Sequence, residues 1–171
     1  QKIKKVTLKI PKLLYFGRFK REKGVYSLID LSKKFKFNYK LTIAGDKNGA
    51  SEQNSKINFL GEISEIKKII RLYDKHNIFI LPSFTEGAPK VILESLARKR
   101  PVIIFKDIKH VKLNYEGVFI CDRNAISLKK CIDYVIINYK KIQNNMKKNN
   151  LPTKKNFQKN LIKILDGSII K

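Results

Sequence analysis

Glu86 and Glu94 stand eight positions apart in EGAPKVILES (86–95), in a chain that has 38 Lys and Arg against 14 Asp and Glu. Upstream, FGRFKREKG (16–24) sets Arg18 and Lys23 between Gly17 and Gly24. Ionised carboxylates only accept hydrogen bonds, so Glu86 and Glu94 suit hydroxyl donors and repel phosphate. Arg18 offers a planar fork of donors and Lys23 a compact point charge, both suited to an anion. Each feature also has a plainer reading. Arg18 and Lys23 can be a basic loop in a basic protein, and Glu86 a polar loop residue. Lys90, Glu94 and Arg98 lie at i, i+4 and i+8, the spacing of a salt-bridged helix face worth a few tenths of a kcal/mol per pair.

Backbone chemistry adds to the side chains. The spacing predicts a helix opening at Pro89, the first helical position, where a missing N–H costs nothing. Ala88 is then the cap, and alanine caps poorly. The N–H groups of Lys90 and Val91 are left for water or a ligand. An anion there would meet the positive end of the helix dipole, and the same holds at Gly24, just after Lys23.

These loops need a frame, and the sequence alternates apolar β-rich runs with helical ones. KLLYFG (12–17), YKLTIAGD (39–46), KINFLG (56–61), NIFILPS (77–83), RPVIIF (100–105) and GVFICD (117–122) read as strands. GVYSLIDLSKKF (24–35), SEIKKIIRLYDKH (64–76, with Ser64 as N-cap and an apolar stripe of Ile66, Ile69, Ile70 and Tyr73), the segment from Pro89 to about Arg98, and 126–148 read as helices. KNGASEQNS (47–55) is a polar loop, and KKNFQKNLIKILDG (154–167) is a final amphipathic helix after the LPT break. Strands without internal alternation are buried on both faces, so the expected fold is α/β: a parallel Rossmann-like sheet with helices on both faces. Ligands of such sheets sit outside the carboxyl ends of the strands. That points to the loops after Gly17, Gly45, Gly61 and Ser83.

The 171 residues make about one domain, here taken as 1–171. The start at Gln1 and the ill-fitting 1–11 read as the tail of a linker from a preceding domain. No apolar run approaches the roughly 18 residues of a membrane span. Cys121 and Cys131 lack metal spacing and read as free buried thiols in a reducing cytoplasm, and His76 and His110 are isolated. The formal net charge of +24 leaves two readings open. One is attraction to nucleic acid, acidic lipid or a phosphorylated substrate, and the other is a solvated lysine-rich surface.

Taken in order, LLYFGRFKREKG, LTIAGD, INFLG, YDKHNIFILPSFTEGAPKVILESLARKRPVII and GVFICD resemble the C-terminal, donor-binding domain of retaining glycosyltransferases of the GT-B fold, family-four type, over about residues 12–147. The most specific element is the pair Glu86 and Glu94 between LPS and PVII. The resemblance implies one half of a GT-B fold and transfer of a hexose from a nucleotide-sugar with retention, without a bound metal or other cofactor. A uridine diphosphate sugar is the expected donor. It implies catalytic roles for Arg18, Lys23 and Glu86: the two cations hold the diphosphate, and Glu86 contacts the sugar hydroxyls. Glu94 would accept from the ribose. Gly87, Ala88, Pro89, Lys90 and Val91 would approach phosphate or sugar, Gly17 would border the diphosphate, and Leu60 and Gly61 would lie near the base.

Two stretches depart from the family pattern. LARKRPV puts Lys99 and Arg100 where small residues and a glycine are usual. FKDIKHVKLNYEG replaces the usual glycine pair and glutamate after PVI, which leaves that loop's donor contacts open. The resemblance also implies an absent N-terminal domain carrying the acceptor site, so that this chain alone turns over little or nothing. The implied partners are a nucleotide-sugar, a glycan or lipid-linked acceptor and that domain, in cell-surface polysaccharide synthesis at the cytoplasmic side of a membrane. The contrasting expectation is a non-catalytic basic module binding nucleic acid or an anionic membrane. Against nucleic acid, Tyr15, Phe16, Phe59 and Phe79 sit in apolar runs and read as core.

Overall fold

A computed structural model describes residues 8–46 and 55–153. The linker reading for 1–11 falls largely outside those residues, as do most of the 47–55 loop and the whole 154–167 helix. The described residues form six parallel strands: β1 (Lys12–Phe16), β2 (Lys40–Ala44), β3 (Ile57–Leu60), β4 (Ile78–Leu81), β5 (Val102–Phe105) and β6 (Val118–Cys121). Their order is β3-β2-β1-β4-β5-β6. Helices α1 (Val25–Lys33), α2 (Ile66–Lys75), α3 (Lys90–Ala97), α4 (Ala125–Ile137) and α5 (Tyr139–Asn145) connect and cover them. The expected parallel α/β sheet is therefore the fold.

The apolar runs explain the sheet. All four residues of β4 and all four of β5 are buried, as strands covered on both faces must be. Leu13, Ile43, Ile78 and Ile103 are fully inaccessible and carry the core across four neighbouring strands. Each such side chain contributes about 1.5–3 kcal/mol by leaving water. Strand order reverses between β1 and β4, which pair directly through Leu13↔Ile78 and Leu14↔Phe79. The crevice beyond their carboxyl ends is the place where open α/β sheets bind ligands.

Several local expectations are corrected. Helix α2 starts one residue later than the Ser64 cap implies: Glu65 is its N-cap, and no side chain caps it. Ile66 lies on the solvent face at 72% exposure, so the buried side of α2 is carried by Leu72 and Tyr73 instead. Pro89 is the N-cap of α3 rather than its first helical residue, with extended backbone (ψ 106°). The long helix over 126–148 is two helices joined at Asn138, followed by a tight turn at Met146–Lys148. The Asn138 side chain bonds the carbonyl of Tyr134 at 2.9 Å, local competition of the kind that interrupts a helix. Lys106–Lys112, expected as a loop, winds into 3₁₀ turns.

Candidate functional site

The loops after β1 and β4 meet closely, and Gly24 is the reason. Its φ is +67°, and a Cβ there would lie 1.9 Å from the carbonyl oxygen of Pro82. Only glycine allows that contact in that conformation. A backbone bond from Phe84 N–H to the Glu22 carbonyl (2.9 Å) ties the same two loops. Lys23 ends a short 3₁₀ turn, Arg21–Lys23, directly before Gly24. Its Nζ reaches Glu86 Oε1 at 2.8 Å, with the two side chains 22% and 11% exposed. The buried Ser83 hydroxyl donates to the same oxygen at 2.7 Å. Glu86 thus holds two donors on one oxygen.

Glu94 is not part of a salt-bridged stripe. The Tyr73 hydroxyl donates to its Oε2 at 2.9 Å. Burial, then the Glu94 charge, hold the Tyr73 phenol well above its ordinary range, so it stays a donor. Arg98 turns away to Asp74, with bonds of 3.0 and 2.7 Å. The carboxylate of Glu94 is exposed on α3 and oriented from beneath. No side chain caps the start of α3, so its first N–H groups gain no partner from the cap, as expected despite the shifted cap.

Arg18 is exposed on the β1 loop. Its carbonyl accepts from the Tyr15 hydroxyl at 2.7 Å, and the next N–H, of Phe19, donates to Asp46 at 2.7 Å. Burial first, then the Asp46 and Glu86 charges, push the Tyr15 phenol upward, which keeps it protonated as the anchor of this loop. Leu60 ends β3 and Gly61 follows it, and their carbonyls lie 3.4 and 3.3 Å from the Gly45 nitrogen. They stand two strands out from β1, on the same carboxyl-end side as Arg18, Lys23 and Glu86.

Sequence reasoning missed the residues that brace the Glu86 loop. Arg123, just after β6, donates to the carbonyls of Pro82 (2.7 Å) and Ser83 (3.0 Å) and forks onto Asp107 at 3.1 and 2.8 Å. Its guanidinium stacks 3.8 Å from the Phe84 ring centre and 4.4 Å from that of Phe105. His110 Nε2–H donates to the Glu86 carbonyl at 2.7 Å. Asp107 and His110 both lie in the stretch after β5 whose family pattern is lost. No spacing in the sequence links them to Glu86. The only signal was that departure itself.

The other departure also has a structural role. The N–H groups of Lys99 and Arg100 close the end of α3, Lys99 onto the Leu96 carbonyl (2.9 Å) and Arg100 onto that of Ser95 (3.0 Å), the pairing of a Schellman turn. Lys99 holds φ +53°, where glycine is usual. Arg100 is 1% exposed and donates to the carbonyls of Tyr73 and Asp74, both at 3.1 Å. It therefore fixes α2, from which Tyr73 reaches Glu94.

Comparison with known proteins agrees with this architecture. The family model for glycosyl transferases group 1 matches residues 1–151. A Campylobacter jejuni alpha-1,4-N-acetyl-D-galactosaminyltransferase, named for its GalNAc-alpha-(1->4)-GalNAc-alpha-(1->3)-diNAcBac-PP-undecaprenol substrate, is 30% identical over 141 residues, covering 72% of this chain and 38% of the relative. TuaC of Bacillus subtilis, a putative teichuronic acid biosynthesis glycosyltransferase, is 31% identical over 93 residues, or 53% of this chain and 23% of the relative. This chain thus spans well under half the length of either. Among solved structures, a Rickettsia africae glycosyltransferase superposes with a TM-score of 0.73 at 22% identity, covering 95% of this chain and 49% of that one. Anabaena HepE, solved with UDP and glucose, gives 0.65 at 18% identity, covering 80% and 41%. At those identities the structures establish the fold, and the family match establishes the lineage: the chain belongs to the group 1 glycosyl transferases.

Proposed function

We propose that this chain is the nucleotide-sugar-binding half of a retaining, metal-independent glycosyltransferase that passes a hexose to a glycan or lipid-linked acceptor. The observation that carries the reading is the meeting of Lys23 and Glu86 at the β1/β4 switch point, beside the uncapped start of α3. An ammonium has three donors, so Lys23 can keep Glu86 and still bind phosphate oxygens. Arg18 supplies a second cation from the same loop. Glu86 has one carboxylate oxygen held by Lys23 and Ser83 and its other oxygen for sugar hydroxyls. Glu94, steadied by Tyr73, reads the ribose. Negative charge growing on the departing diphosphate meets donors already in place, and such preorganisation stabilises a transition state without reorganisation.

The donor class is supported by HepE, solved with UDP and glucose. The acceptor class is supported by the Campylobacter relative, whose name carries a diphosphate-linked undecaprenol. We place the acceptor site on a further domain, and the enzyme on the cytoplasmic side of a membrane.

Thermal-shift titration with UDP, GDP, ADP and single-stranded DNA, each at low and moderate salt, tests the reading. Stabilisation by one nucleoside diphosphate that survives salt, and that is lost in Arg18→Ala and Lys23→Ala, is the expected result. Stabilisation by DNA alone, collapsing with salt and indifferent to Glu94→Gln, would replace it with a basic binding module.

A further inference from the structure

A second cationic site lies on the other part of the sheet. Lys12, Lys40, Lys68, Arg71 and Lys75 line one open cleft of about 690 Å³ between α2 and strands β2 and β3, and no acidic residue lines it. Thr42 and Asn58, register partners on adjacent strands, line the strand side of the cleft. Among the described residues, Lys12, Lys40, Arg71 and Lys75 have no carboxylate within ion-pair distance. Lys68 pairs with Glu65 at 3.1 Å, with both side chains more than half exposed. Lys12 and Lys40 are the first residues of β1 and β2. They stand at the opposite end of the strands from Arg18, Lys23 and Glu86.

We propose that this face, α2 with the β2–β3 cleft, docks on the headgroups of an anionic bilayer. Four of its five cations are lysines, mobile point charges that suit a diffuse negative surface better than stereospecific chelation of one small anion. An anionic leaflet attracts each nearby Lys or Arg by an amount equivalent to about fivefold in partition. No Phe, Tyr or Trp lines the cleft and its one ring, His76, is buried, so it lacks the stacking platform that single-stranded nucleic acid requires. At the head of α2, Ile66 is 72% exposed beside Lys67 and Lys68. An apolar side chain flanked by lysines is the composition of a helix that rests in a membrane interface. The inference stands apart from the donor site in its cations: of the residues assigned to that site the cleft shares only Leu60, the last residue of β3, and the proposal does not use it.

The test is co-sedimentation of the full chain with vesicles of phosphatidylglycerol and phosphatidylcholine against vesicles of phosphatidylcholine alone, at moderate salt. The cleft variant is Lys40→Gln/Arg71→Gln/Lys75→Gln. The control is Lys140→Gln/Lys141→Gln/Lys147→Gln, which removes the same charge from the exposed side of α5 and the turn after it. The expected result is binding to the anionic vesicles that falls about a hundredfold in the cleft variant and less than threefold in the control. Melting temperatures of both variants, all at exposed positions, stay within a degree or two of the parent. Equal losses in the two variants would assign the binding to bulk charge and overturn the proposal. Absence of vesicle binding would overturn it as well. So would cleft-dependent binding of inorganic tripolyphosphate or single-stranded DNA without vesicle binding, which would name a soluble polyanion as the occupant.

Discussion

Lys23 and Glu86, from loops on opposite sides of the sheet's switch point, hold each other at 2.8 Å. On the proposed reading, a cation for phosphate and an acid for hydroxyls are thus preset as a pair. The arrangement separates their roles. Glu86→Gln frees Lys23 and removes a negative charge near the phosphates, so affinity for the bare nucleoside diphosphate is unchanged or rises. The added affinity that a hexose brings disappears, since an amide accepts less strongly than a carboxylate. Lys23→Ala does the reverse, with diphosphate affinity falling about tenfold or more, the size of one lost charged hydrogen bond. Isothermal titration with UDP and with a UDP-hexose on both variants reads this split. Equal loss of both ligands in Glu86→Gln would contradict it.

Arg123 connects β6 to the loop that carries Glu86. It bonds two carbonyls, forks onto Asp107 and stacks on two rings, and a lysine can reproduce only the charge. Arg123→Lys is therefore expected to lower stability by about 1–2 kcal/mol, and Arg123→Ala by about 2–3 kcal/mol. The Asp107 pair adds little to this, being partly exposed. The informative readout is the sugar-dependent increment in binding, which falls in Arg123→Lys while diphosphate binding through Lys23 persists. A variant that unfolds earlier yet keeps the full increment would limit Arg123 to a purely structural part.

Lys99 occupies the left-handed position that ends α3, at φ +53°. A side chain there costs about 1 kcal/mol relative to glycine. Glycine gives some of this back through the freedom of its unfolded chain. The net expectation for Lys99→Gly is a gain of about 0.5 kcal/mol, read as an upward shift of the urea midpoint at unchanged slope. Lys99→Ala, which keeps the strain, gains nothing.

The sequence made the frame legible for a physical reason. Apolar runs such as IFIL and VIIF can only be strands buried on both faces, and the turns after them fix where ligand loops must fall. Arg18, Lys23 and Glu86 are legible as candidates because their chemistry is local to such loops, and Glu94 because it lies eight positions on, in the helix that follows. What stayed hidden is non-local. Tyr73 under Glu94, Arg123 behind Ser83 and His110 on the Glu86 carbonyl reach their partners across the sheet, and nothing in spacing encodes that. Local rules also lost where tertiary demands prevailed. Ser64 gave way to Glu65 as the cap of α2, and Ile66 turned to solvent because Leu72 and Tyr73 set which face of the helix is buried.

His76 gives the fold a pH dependence of known sign. Its Nδ1–H donates to the Leu72 carbonyl at 2.6 Å, and Nε2 pairs with the Thr42 hydroxyl at 2.7 Å, which donates to it when the ring is neutral. Burial is the largest effect and lowers its pKa; the Leu72 carbonyl opposes it as the next largest, and Lys12, Lys75 and Arg100 lower it further. The unfolded chain, with histidine near its ordinary value of about 6.5, then binds a proton that the folded chain refuses. The stability from this group is complete above that value. It is lost as pH falls from there toward the depressed folded value, by at most about 1.4 kcal/mol per pH unit. Urea midpoints measured from pH 7.5 to pH 5 should therefore decline more steeply in the parent than in His76→Gln, whose side chain does not titrate. Parallel declines in the two proteins would show that the ring accepts a proton in place.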